Sequence, residues 1–198
     1  MSPRLRVGKE HILQIAEKLF TEYGYQAVSI REIARECGVT NAAIYYHFPD
    51  KESLFVEVMQ RHAENLQKKM SAAAAEAAHP KEKIVAVLDA YLNAIGGQRA
   101  PIFSLHKDTR HLKNHHQYRD SLMRIISQPL VDALAFAQKE CRIKSQPNAG
   151  EAAALLIGML HGLAQQHRAA GLDEEFLSKK DIQMIVNLFW DGVALKKE

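Results

Sequence analysis

Apolar residues recur at helical spacing along almost the whole chain. Ile12, Ile15, Ala16, Leu19, Phe20 and Tyr23 stand at i, i+3, i+4, i+7, i+8 and i+11. That spacing lays them along one stripe of an α-helix, whereas a half-buried strand would alternate at every second residue. No period-2 run of strand length interrupts the pattern, and no longer repeat organises it. The expected fold is all-α, with about nine helices.

Turn and cap residues divide the pattern. Gly24 ends the first stripe, and Ser29 opens a short helix with Glu32 at the capping-box distance. Gly38 closes that helix, and Thr40 is the N-cap candidate of another, AAIYYHF. Phe48-Pro49-Asp50 breaks the chain again, and Asp50 can cap a long helix from Lys51 to about Ala78, where Pro80 is expected to stop it. Further helices are expected over Lys83–Ile95, a short segment from Pro101 to His106, Tyr118–Cys141, Ala149–Ala170 and Asp181 to about Leu195. Pro129 predicts a kink in the long one. Residues 107–116 are polar and read as a connection.

At 198 residues, 47% hydrophobic and 25% charged, the chain can bury a substantial core, which argues against a disordered or disulfide-scaffold class. There is no apolar block of spanning length and no export signal, so a cytoplasmic location is expected. Cys37 and Cys141 form no metal or redox spacing, and Cys37 reads as a small buried residue.

Residues 29–51, SIREIARECGVTNAAIYYHFPDK, carry the functional signal. Two short helices meet at a tight turn holding Gly38, as in a helix-turn-helix. Ile33, Ala34, Val39 and Ile44 would fix the angle between them. Thr40, Asn41, Ala42, Ala43, Tyr45, Tyr46 and His47 would face outward or nearly so. Such a unit sets the N-terminal residues of its second helix against base edges in the DNA major groove.

With the helix ILQIAEKLFTEYGY before it and IYYHFPDKESLF at its end, residues 9–55 resemble the DNA-binding domain of TetR-family transcriptional regulators. The resemblance implies a helix-turn-helix domain over 1–50 and an effector-binding and dimerisation domain over 51–198. It also implies a homodimer on a pseudo-palindromic double-stranded DNA operator. Tyr45, His47 and Lys51 match family positions that contact phosphates, which suits a phenol, an imidazole and an ammonium at a helix start. Ser29 and Arg31 are further candidates, and Tyr46 is divided between packing and backbone contact. Thr40, Asn41 and Ala42 begin the recognition helix, where Asn suits adenine and an Ala methyl suits thymine. Val28, Ala42 and Ala43 depart from the family's usual Thr, Gly and Thr or Ser; Val28 and Ala43 each remove a hydroxyl.

For the larger domain the resemblance implies an effector pocket, with Tyr91, Ile95, Phe103, His106, Tyr118, Leu122, Met123, Ile126 and Trp190 as candidate lining. It also implies a dimer bundle of the last two helices, with Leu156, Met159, Leu160, Leu163, His167, Ile185 and Phe189 as candidate contacts. Plain core packing is the rival reading for these residues. A repressor released by a small molecule is expected, with an activator or a ligand-independent regulator as the alternative. No cofactor is expected. The chain is not read as an enzyme: there is no GxSxG, Walker or GxGxxG pattern. A metal-dependent hydrolase using His106, Asp108, His111, His115 and His116 is the distant rival.

The net charge of +3 hints at an anionic partner. Yet residues 1–51 hold seven cations against six anions, while residues 99–124 hold six against two. DNA binding therefore rests on where a few donors sit, and the surplus instead motivates an expectation of an anionic effector.

Overall fold

The computed structural model describes residues 8–95, 112, 115–169 and 177–193. Among them are eight helices and no strand: α1 (Lys9–Tyr23), α2 (Ile30–Glu36), α3 (Asn41–His47), α4 (Lys51–Glu76), α5 (Pro80–Ile95), α6 (His115–Lys139), α7 (Ala149–Ala169) and α8 (Lys179–Val193). The short helix expected over residues 101–106 lies outside the described residues. No helix among those described is long and apolar enough to cross a membrane.

Two expected boundaries move. Pro80 opens α5 instead of merely stopping α4, because a proline at the first helical position gives up an N–H that would have no helical partner anyway. Helix α6 starts at His115, inside the expected connection, and runs on through Pro129.

Two compact units emerge, with divisions within α4 after Ala63 and within α6 after Leu122. The first holds α1–α3, the start of α4 and the start of α6. Its core is the stripe Ile12, Ala16 and Phe20, with Leu13 beside it, closed by Ile33, Ile44, Phe48, Leu54 and Phe55. Phe55 meets Phe20 edge-on at 5.2 Å and Tyr25 at 4.6 Å between ring centroids. Tyr23, placed on the stripe by its spacing, is exposed at the last residue of α1.

Helices of seven residues are too short to persist alone, so α2 and α3 depend on caps and core. Ser29 and Glu32 form the capping box: the Glu32 N–H donates to Ser29 Oγ at 3.2 Å, and the Ser29 N–H donates to Glu32 Oε2 at 2.7 Å. Gly38, at φ +68°, ends α2 in a Schellman turn. There the Val39 N–H reaches the Ala34 carbonyl at 2.9 Å and the Gly38 N–H reaches Arg35 at 3.1 Å. Thr40 caps α3, accepting from the Ala43 N–H at 3.3 Å. Ion pairs then tie α1 to α4: Lys9 to Glu57 at 2.7 Å and Arg61 to Glu10 at 2.8 Å.

The second unit packs α5 on α8 and α7 on α8. Ile84, Val87, Leu88, Leu130, Leu134, Leu156, Leu160, Ile182, Ile185 and Val186 are buried there. Asn148 and Glu151 cap the start of α7 reciprocally, at 2.9 and 3.0 Å, and Ser178 and Asp181 do the same for α8.

Candidate functional site

Helix α3 has one fully buried side chain, Ile44. Its other side is exposed: Asn41, Ala42, Tyr45 and Tyr46 fall at i, i+1, i+4 and i+5, a contiguous surface. Tyr46 is 85% exposed and Tyr45 51%, so neither ring belongs to the core. Thr40 is exposed and His47 half-buried. Phe48, by contrast, is buried. The burial of Ile44 and Phe48 fixes the rotation of α3, and that rotation turns the polar and aromatic side chains outward. Nothing acidic lies on α3, so the surface offers donors without a local carboxylate to repel a phosphate.

Two called residues are held by partners the sequence did not single out. Lys51 Nζ stands 4.2 Å from the centroid of the Tyr25 ring, a cation–π seat at the start of α4. Tyr25 is the residue sequence reasoning missed; nothing in its local spacing signals that role. Ser29 is exposed, but its hydroxyl donates to Glu32 Oε2 at 2.8 Å. Hydrogen bonds from the Ser29 side chain and backbone hold the Glu32 carboxyl below its usual range. An ionised carboxylate therefore sits beside the hydroxyl expected to meet a phosphate. Arg31 is exposed on α2. Val28 is buried, so this position packs and does not present a side chain to a ligand.

A family described as bacterial regulatory proteins, tetR family, matches residues 12–58, the stretch that builds this surface. Over those residues the chain is similar to the DNA-binding segment of the TetR family. It is similar to the HTH-type transcriptional regulator AcrR of Shigella flexneri, 43% identical over 58 residues, which are 29% of this chain and only 27% of AcrR. It is 29% identical over 177 residues to the HTH-type transcriptional repressor BepR of Brucella suis, covering 83% of each chain. A crystal structure of a TetR-family regulator from Mesorhizobium loti shares the fold, with a TM-score of 0.78 at 19% identity, covering 98% of this chain and all of that one.

The second unit contains a cavity of about 440 Å³. Of the expected lining, Tyr91, Met123 and Ile126 reach it. Tyr118, Leu122 and Trp190 are not among its described lining residues; Trp190 instead lies under Lys81 Nζ, 5.8 Å from the ring centroid. Phe103 and His106, and the side chain of Ile95, lie outside the described residues. Unforeseen wall residues include Met70, Leu88, Leu130, Ala153 and Ile157. A second, 720 Å³ groove is lined by charges of both signs, Glu76, Lys81, Glu82, Asp89 and Lys179 among them. It reads as a hydrated surface, since such side chains favour water over an apolar guest.

Tyr91 also makes a long-range contact. Its hydroxyl is 2.9 Å from His161 Nε2 on α7, seventy positions along the chain. Burial pushes the Tyr91 phenol up to about 12 and holds His161 below the usual histidine range. Both are neutral near pH 7, so the two share one hydrogen bond whose direction is set by the histidine tautomer.

The last two helices divide the expected contact residues by their burial within one chain. Leu156, Leu160, Ile185 and Phe189 are buried within the single chain and serve its core. Leu163 and His167 are half-buried, and Met159 is 37% exposed. The apolar side chains left outside are Leu155 and Met159 on α7 and Met184 and Leu188 on α8, each an i, i+4 pair. Both helices are apolar on more than one face, so periodicity alone could not separate the inward from the outward side. Gly158 and Gly162 are open as well: a Cβ there would meet nothing within 4 Å in the described chain.

The histidine-rich segment offers no test of the metal reading. His106, Asp108 and His111 lie outside the described residues, as does the His115 side chain. Among the described residues no group of three or more His, Cys, Asp or Glu is placed to hold a metal.

Proposed function

We propose that this chain is a sequence-specific DNA-binding transcriptional regulator, a repressor that leaves its operator when a small molecule fills the α4–α7 cavity. The observation that carries the reading is the exposed surface of α3, set opposite a fully buried Ile44 within a stretch that matches the TetR family. Asn41 and Ala42 read base edges; Tyr45, His47, Lys51 and Arg31 meet phosphates. The repressor sign is supported by the named repressor BepR, which this chain resembles over most of its length.

The acting species is a homodimer. Leu155, Met159, Met184 and Leu188 give it an apolar face, and Gly158 and Gly162 let two helices approach closely. A two-fold pair of α3 helices suits half-sites about 34–36 Å apart. Ligand in the cavity shifts this dimer only if it binds the DNA-competent and released conformations with different affinity.

The test is selection of DNA fragments by the purified chain at physiological salt, followed by gel shift with the selected duplex. Retention of a pseudo-palindromic site, lost in Tyr45→Ala and Lys51→Ala variants that remain folded, is the expected outcome. Retention of no fragment ends the proposal.

A further inference from the structure

The walls of the 440 Å³ cavity are chemically lopsided. Met70, Leu88, Met123, Ile126, Leu130 and Ile157 supply an aliphatic lining. Among the described lining residues one is charged: Arg124, exposed at the edge. Among the described residues no carboxylate lines the cavity and none forms an ion pair with Arg124. Ser127, beside it, donates its hydroxyl to the Arg124 carbonyl at 3.3 Å. The other polar wall group, the Tyr91 hydroxyl, is already hydrogen-bonded to His161 at 2.9 Å. Among the described residues a guest therefore meets one charged donor, a guanidinium at the edge, and an apolar interior.

We propose that the cavity takes an amphiphile with an aliphatic body and one anionic head, a monocarboxylate, whose head pairs with Arg124. The inference rests on the reading of this cavity as the effector site and names the class of ligand that enters it. A guanidinium matches a carboxylate in two parallel hydrogen bonds, which an alcohol cannot reproduce. A cationic head is repelled at the same place. A second carboxylate would have to lie against methionine and leucine with no partner, which is costly. Met70 and Met123 are unbranched and adaptable, so the wall accommodates variation in the body more readily than a change in the charge of the head.

Three ten-carbon amphiphiles that differ in their heads test this: decanoate, decanol and decyltrimethylammonium, each titrated calorimetrically into the full chain. Decanoate is expected to bind tightest and the cation weakest. Arg124→Ala should weaken decanoate about fivefold, the scale of a solvent-screened ion pair, and leave decanol unchanged. Added salt should shrink the difference between heads. Ala154→Trp, which places a ring into the cavity from an exposed position on α7, should abolish binding and so localise it. Equal or tighter binding of decanol or the cation overturns the proposal, as does no binding of decanoate or an unaffected Arg124→Ala variant.

Gel shifts run in parallel separate the two readings. Decanoate that binds in the cavity without altering DNA retention removes the effector role and keeps the ligand class. Decanol that binds equally and releases DNA keeps the effector role and removes the class.

Discussion

The two units reach stability by different routes. In the N-terminal unit, polar devices set each joint: a capping box on α2, a Schellman turn at Gly38, a threonine cap on α3 and ion pairs from α1 to α4. In the C-terminal unit capping boxes open α7 and α8 as well, but the helices are long, are joined by apolar burial and carry apolar side chains on their outer faces. A surface that reads DNA needs side chains aimed within narrow tolerances, and caps and turns supply that aim. A surface proposed to admit a small molecule and a second copy needs apolar area instead.

The largest expected effect tests how far the short helices lean on their core. Ile44→Ala should cost about 2–5 kcal/mol, because it empties the one fully buried position of α3. Hydrogen exchange should show α2 and α3 opening while α7 and α8 stay protected. A loss below about 1 kcal/mol would mean that caps, and not burial, hold the motif.

Leu188→Asp probes the other unit. Leu188 is 62% exposed, so the fold should survive with its helical circular dichroism intact. Self-association followed by sedimentation should weaken about 30-fold or more, as expected for a charge placed at an apolar contact. An unchanged dimer would relocate the contact face.

Ser29→Ala removes the cap of α2 and should cost about 1 kcal/mol in urea denaturation. The same change should scarcely weaken DNA binding in the folded fraction, since that hydroxyl already serves Glu32.

A pH titration compares two joints within the N-terminal unit. Burial holds His62 below its ordinary 6.5, against an opposing pull from Glu17, whose Oε1 is 3.2 Å away but poorly aligned for a hydrogen bond, and with a push in the same direction from Arg61. A depressed folded-state pKa means that the unfolded chain takes up the proton first. This contribution is therefore complete above about pH 6.5 and is lost as pH falls through the lower folded value. Glu32, also depressed, contributes fully above its ordinary 4.5 and loses its share only below it. Melting temperature should thus decline first through the His62 window, and His62→Gln should flatten that first decline.

The smallest effect on the fold belongs to Tyr46→Ala. At 85% exposure the change should shift stability by no more than about 0.5 kcal/mol, while gel-shift affinity falls. An equal loss in both would return Tyr46 to a packing role.

How legible each unit was follows from the range of its determining contacts. Ser29 with Glu32, Gly38 and Thr40 act within three to five residues, so their spacing announced the helix-turn-helix and its outward face. The cavity was legible only in part. Met123 and Ile126 lie one helical turn apart on α6, but the walls they complete come from Met70, Leu88 and Ile157, and no local pattern joins these. The same holds for Tyr25 beneath Lys51 and for Tyr91 against His161.

By itself the sequence determined the all-α class, the resemblance to the TetR family and the position of the helix-turn-helix, because helical period, caps and glycine turns are encoded within a few residues. Only the tertiary structure decided which side of α7 and α8 faces inward. It also bound the Ser29 hydroxyl to Glu32 and left Arg124 as the one cation at an aliphatic cavity among the described residues. Those outcomes depend on which distant helices meet, and hydrophobic burial, being non-directional, does not write its partners into local spacing.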